Sequence, residues 1–134
     1  MLPGVDGFYY LATVYTAHPE GLEQAHKDAC AAAGQLMAAE VPIYCPIAHS
    51  HCVAMWGDLD PIDHELWMNA DRPMMEAAGG LIVVKMPNWE ISQGIAEERR
   101  HFTAAEKPIV FMDWEASTRT VRAESPESLC GEKP

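Results

Sequence analysis

A chain of 134 residues that is 49% hydrophobic has enough apolar material for one compact domain with one core. Its formal net charge of -11 and pI near 4.8 exclude a protein that grips a nucleic acid polymer by its phosphates, which takes a basic face. No stretch reaches the roughly 18 apolar residues of a membrane span, and MLPGVDGFYY lacks the basic flank and apolar run of a signal peptide. The expectation is therefore no membrane partner and a cytoplasmic location. Cys30, Cys45, Cys52 and Cys130 are too few and too irregularly spaced for a disulfide scaffold, so reduced thiols are expected.

Residues 7–12, within GFYYLATVYT, form an aromatic and aliphatic run expected as a buried first strand. From His18 to Ala39 the residues Leu22, Ala25, Ala29, Ala33 and Leu36 recur at helical spacing, with Pro19 where a first turn tolerates it. VPIYCPI is a short second strand ending at Pro46, and residues 46–60 are expected as a long polar loop, often a place for function. Asp60 is the expected N-cap of the next helix and Pro61 its first residue; Trp67, Met74 and Ala78 form its apolar stripe, with Asp71 among them. GLIVVKM, residues 80–86, is the clearest strand, a nearly continuous apolar run suited to a parallel sheet covered on both faces. A helix over about 91–105 follows, with Ile91, Ile95, Phe102 and Ala105 as its stripe, and then KPIVFMDW as a fourth strand.

This alternation predicts an α/β fold, a doubly wound parallel sheet of Rossmann-like or flavodoxin-like type with four to five strands, of which four can be read directly. Residues 1–115 would form the domain. Residues 116–134 lose periodicity and gain Ser, Glu and Pro, and are expected as a mobile tail or an arm that orders on a neighbouring subunit.

In such sheets ligands bind beyond the carboxyl ends of the strands, which selects the turns after residues 12, 45 and 86. The third turn, PNWEISQG, places Ser92 and Gly94 near a helix N-terminus whose unpaired N–H groups suit an anion. Glu98 fills the gap in the following apolar stripe, and Asp71 interrupts the stripe before it. Two converging carboxyls suit glycosidic bond cleavage, in which one attacks or stabilises the anomeric carbon and the other protonates the leaving group. The same residues also suit ordinary roles, Glu98 pairing with Arg72 or Arg99 and Asp71 capping the segment that restarts at Pro73. CPIAHSHC offers Cys45, His49, His51 and Cys52 as zinc-type ligands, but crowding them into one short segment strains a tetrahedral centre. The expectation is thus no metal and no cofactor, with His49 as a polar substrate contact and Trp89, in the crevice loop, as the candidate aromatic contact for a ligand.

The segments YYLATVYT, WMNADRPMMEAAGGLIVV and NWEISQGIAEERRHFTAAEKPIVF span nearly all of residues 8–114. In order and separation they resemble the nucleoside 2-deoxyribosyltransferase-like superfamily, and within it the branch filed as a domain of unknown function, DUF1937. The resemblance implies that Gly94 and Glu98 match the superfamily's Gly-x-x-x-Glu, with Glu98 as nucleophile at C1′ and Asp71 as the acid that assists the departing base. It implies a sugar pocket lined by the segment Tyr10 to Thr13, including Ala12, and a 5′-phosphate contact at Ser92. It further implies a nucleoside or nucleoside 5′-monophosphate as the small-molecule partner and a homo-oligomer whose subunits complete one another's pockets.

Departures from the superfamily are Gly79, where an acid is usual, a longer and more His-rich 46–60 segment, and Pro73, expected to disturb the helix beside Asp71. The activity expected is N-glycosidic bond cleavage or transfer; the alternative is a non-catalytic nucleotide-binding or sensing module on the same fold. Glu98, near a helix N-terminus, is expected to be ionised, and Asp71, beside Met74 and Met75, to be neutral.

Overall fold

The run GLIVVK forms strand β3 (Gly80–Lys85), buried from Gly80 through Val84, and the equally apolar YYLA forms β1 (Tyr9–Ala12), buried throughout. Strands shielded on both faces lose any reason to alternate, which is why both read as unbroken apolar runs. In the computed structural model, which describes residues 2–125, these two strands pair in parallel at the centre of one sheet. Strand β2 (Ile43–Tyr44) adds in parallel to β1, and β4 (Ile109–Glu115) in parallel to β3. The order is β2-β1-β3-β4-β5, where β5 (Thr120–Ala123) runs antiparallel to β4. This is the doubly wound α/β arrangement the alternation predicts. The chain winds outward in opposite directions from β1 and β3, so the switch point and its crevice lie at their carboxyl ends.

The helices are α1 (Leu22–Ala38), α2 (Pro46–Gly57), α3 (His64–Ala77) and α4 (Gln93–Ala104), with a 3-10 turn at Trp89–Ile91. Among the described residues no helix is long and apolar enough to cross a membrane. Helix α2 corrects the expected 46–60 loop. Pro46 opens it at a position that needs no N–H, and Asp58, in the left-handed region at φ 59, ends it. Its residues are not sorted by face: His51 is buried while Trp56 is 91% exposed, so no helical stripe is visible in the sequence. Helix α3 starts later than expected. Its cap is Asp63, whose carboxylate accepts from Leu66 N at 3.2 Å, while Asp60 holds the preceding turn through Ile62 N at 3.0 Å.

Pro73 does not break α3, which continues unbroken to Ala77. Both Pro73 and Asn69 are exposed, so the carbonyl that loses its intrahelical donor faces water, and Asp71 stays buried. On α4 the buried stripe reduces to Ile95, Glu98 and Phe102, because Ile91 lies outside the helix and is exposed. Gly79 packs against backbone: a Cβ there would sit 2.2 Å from the Asp6 carbonyl oxygen.

The segment expected as a tail begins with an edge strand. The Gln35 side chain donates to Val121 O and accepts from Val121 N, both at 2.8 Å, giving β5 a partner on its outer side. Residues 126–134, the rest of the expected arm, lie outside the described residues. The Asp28 carboxylate fastens the same region. It is 3% exposed and accepts from His18 Nε2 at 2.8 Å, from Gln24 Nε2 at 2.9 Å and from Arg119 Nη1. Burial alone would raise its pKa, but donation from His18, Gln24 and Arg119 outweighs this and holds the carboxyl below its ordinary range. One carboxylate thus ties the turn after β1, helix α1 and the β4–β5 turn. Asp28→Ala should lower unfolding free energy by about 3 kcal/mol in urea titration, because it leaves buried donors unpaired; a loss below about 1 kcal/mol would show that the three elements hold without it.

Candidate active site

The turn after β1, the first turns of α2, the approach to α3 and the N-terminus of α4 surround a cavity of about 140 Å³. Thr13, Tyr15, Pro46, Ile47, Ser92 and Gly94 line it, so the turns expected to form the crevice do meet. Asp71, from α3, and Glu98, from α4, line the same cavity and are 8% and 6% exposed. The ion pairs proposed for Glu98 from sequence do not form. The Arg99 guanidinium lies over the Trp89 and Phe111 rings at 5.7 and 5.3 Å, and Arg72 donates to Asn69 Oδ1 at 2.9 Å.

Beneath both acids sits Tyr10, fully buried in β1. Its phenol is near enough to Glu98 and Asp71 to lower both of their pKa values by donation, yet its oxygen completes no hydrogen bond of normal geometry among the described residues. Its own ionisation is pushed far above the usual range by burial and then by the two carboxyls, so it remains a donor. Burial raises Glu98 to about 8; Tyr10 opposes this, while Asp71 and Glu97 add to it. Burial raises Asp71 to about 6, with Tyr10 and His49 opposing. Both carboxyls are therefore pushed towards their neutral forms and titrate as a pair. Glu98 is thus driven towards its neutral form, against the ionised state expected of it. Glu98 lies more than one turn inside α4, which is capped by Ser92, and the helix-end field fades within the first turn, so burial decides.

The other candidates divide. The Ser92 hydroxyl accepts from Ile95 N at 3.3 Å, capping α4 and keeping its own hydrogen to donate. A Cβ on Gly94 would meet nothing nearer than Ser92 Oγ at 4.0 Å, so the backbone there is open. Thr13 Oγ1 is buried without a partner among the described residues. Ala12 is fully buried behind the cavity and does not line it. Trp89 also does not line it: its ring packs on Phe111 at 5.6 Å with the Arg99 guanidinium over it. His49 is exposed on α2, outside the lining, and acts on Asp71 only through its charge. Instead, Ile47, Ser50, Ile62, His64, Trp67 and Met68 form the wall; Ile47 and Ser50 were concealed once α2 was taken for a loop, and Trp67 read as part of the α3 apolar stripe. Trp67 is held there by donation from Nε1 to Asp60 O at 2.9 Å.

A carboxyl whose folded-state pKa lies above its ordinary value binds its proton more tightly when folded. The associated stability is complete below about 4.5 for Glu98 and is lost as pH rises through about 8. Wild-type melting temperature should therefore fall between pH 5 and 8.5, and Glu98→Gln should remove most of that fall. At pH 8.5 calorimetry should place the variant at least about 4 °C above wild type; parallel curves for the two proteins would mean that Glu98 ionises freely.

A search among curated proteins finds no match for the chain. The model of the family described as "Domain of unknown function (DUF1937)" matches residues 7–114, an interval that contains every cavity residue named above, and the chain belongs to that family.

Proposed function

We propose that this cavity cleaves or transfers the N-glycosidic bond of a nucleoside or nucleoside 5′-monophosphate. The observation that carries the reading is the pair of buried carboxyls on neighbouring helices, lining one cavity above the Tyr10 phenol. Resemblance to the nucleoside 2-deoxyribosyltransferase-like superfamily supports it. Glu98 carboxylate attacks C1′ as the C1′–N bond breaks; the bond pair passes to the base nitrogen, which takes the Asp71 proton. Water or an acceptor base then attacks C1′, Asp71 receives its proton, and Glu98 is released with net retention.

The reactive microstate has the proton on Asp71 rather than Glu98. Burial holds both carboxyls above their ordinary range, so the pair keeps a proton for that arrangement. Positive charge developing on the sugar favours ionised Glu98, and Tyr10, with no competing partner, is available to donate to it. Ser92 and the backbone at Gly94 suit a 5′-phosphate at the α4 N-terminus. Ile47, Ile62, Trp67 and Met68 offer a base the apolar wall that Trp89 does not. One observation favours the alternative of a binding or sensing module: a carboxyl that keeps its proton to about pH 8 is a hydrogen-bond donor before it is a nucleophile.

Nucleosides and their monophosphates, screened for released base, should give turnover with a bell-shaped pH dependence whose limbs lie near 6 and 8, since only the singly protonated pair is active. Glu98→Ala should lower kcat by about a thousandfold or more while changing ligand affinity little, and Ser92→Ala should raise KM for monophosphates more than for nucleosides. Wild-type turnover in Glu98→Ala would end the mechanism; tight nucleotide binding by wild type without turnover would establish the sensing module.

A further inference from the structure

Away from the cavity, the seam between α1 and α2 gathers two thiols and two imidazoles. His26 and Cys30 stand one turn apart on α1, with Cys30 Sγ 3.5 Å from His26 Nε2. Cys52, from α2, brings its Sγ to 3.6 Å from the same nitrogen. Two sulfurs in contact with one atom are at most about twice that distance from each other. Both cysteines are free and exposed, so peroxide can reach them and their side chains can turn. The His26 ring stacks on His51 with centroids 4.4 Å apart, and His51 Nδ1 lies 2.7 Å from Tyr15 Oη on the cavity wall. Cys45 provides the contrast: it is buried, its sulfur faces Ala29 O at 3.8 Å, and burial pushes its thiol up to about 11.

We propose that Cys30 and Cys52 form a thiol pair that hydrogen peroxide oxidises to a disulfide across the α1–α2 seam, with His26 carrying the protons for both sulfurs. Cys52 sulfur attacks the peroxide; its S–O bond forms as the O–O bond breaks, and the leaving hydroxide takes the thiol proton through His26 and departs as water. Cys30 sulfur then attacks Cys52 sulfur; the S–S bond forms, the S–O bond breaks, and the Cys30 proton leaves with hydroxide as a second water. Two thiols lose two electrons and one peroxide gains them. Burial and the neighbouring Cys52 raise the Cys30 thiol, which suits Cys30 to the second, resolving step. These are also zinc-type donors, but among the described residues no three His, Cys, Asp or Glu side chains converge as a metal site. The inference is independent of the glycosidase reading.

In a Cys130→Ser background, reduced protein treated with one equivalent of hydrogen peroxide should yield an intramolecular Cys30–Cys52 linkage as the main product on non-reducing peptide mapping. Cys30→Ser should stop at a sulfenic acid on Cys52 that dimedone traps. His26→Gln should slow linkage about a hundredfold, the low end of what a placed acid or base contributes, with Cys45 still unreactive as the sign of an intact fold. Thiols that stay reduced, linkage only between molecules, or His26→Gln at the wild-type rate would overturn the proposal. Stoichiometric zinc uptake that protects both thiols would overturn it in favour of a metal centre.

Discussion

The parallel pairing of β1 with β3, Tyr9 opposite Gly80 through Ala12 opposite Val83, is the constraint on which the rest of the molecule depends. It is tight by composition. A Cβ on Gly80 would lie 2.9 Å from the Tyr9 ring, so the strands close only because glycine stands there. With these two strands central, the chain must leave each in a different direction, and their carboxyl ends open into a crevice that no crossover helix covers. The same pairing fixes Tyr10 opposite Leu81, its phenol under the spot where α3 and α4 present their acids. The site follows from strand order before any side chain at its surface is considered.

The acids are then a problem the fold does not solve by pairing. Asp28 shows the ordinary solution: three donors, low pKa, a structural tie. Glu98 is buried, 6% exposed, yet it receives only a phenol in poor geometry and the repulsion of Asp71 and Glu97. Nothing in packing calls for a second carboxyl at Asp71; an apolar side chain on the α3 stripe would satisfy the core and remove the repulsion. Unsatisfied Tyr10 and Thr13 hydroxyls on the same side add to the cost. Expense of this kind, gathered around one cavity, points to a ligand that supplies the missing partners.

How much of this could be read in the sequence depended on whether a residue's environment is set locally. Apolar runs and their spacing gave four strands and three helices, because burial on both faces leaves a periodic or continuous trace. Glu98 and Asp71 were visible as interruptions of such traces. Helix α2 was not, since its buried residues include Pro46 and His51 while Val53, Met55 and Trp56 are exposed, so polarity and burial do not coincide along it. Missing α2 hid the wall formed by Ile47 and Ser50 and made His49 look like a contact. Trp89 failed for another reason: a ring in a crevice loop can face in or out, and its contact with Phe111, from β4, is set by the sheet. Strand β5 was concealed because its stability comes from Gln35 and Asp28, residues some 90 positions away.

Helix α2 is where the parts of the molecule meet. Its first turns, at Pro46, Ile47 and Ser50, wall the cavity, while Cys52 belongs to the cluster on α1. His51 lies between these roles, its ring stacked on His26 on one side and bonded to Tyr15 on the other. Burial, and then His26, lower its pKa, so the ring is neutral at physiological pH and can hold both contacts without bringing charge into the seam. Tyr15 follows β1 closely, so its bond to His51 joins α2 to the turn that carries Thr13. That turn is fixed from the far side by His18 on Asp28. The cavity wall is thus braced at one end by the buried hydrogen bond between His18 and Asp28 and at the other by the contact of His51 with Tyr15, so α1 anchors both sides of the turn that carries Thr13.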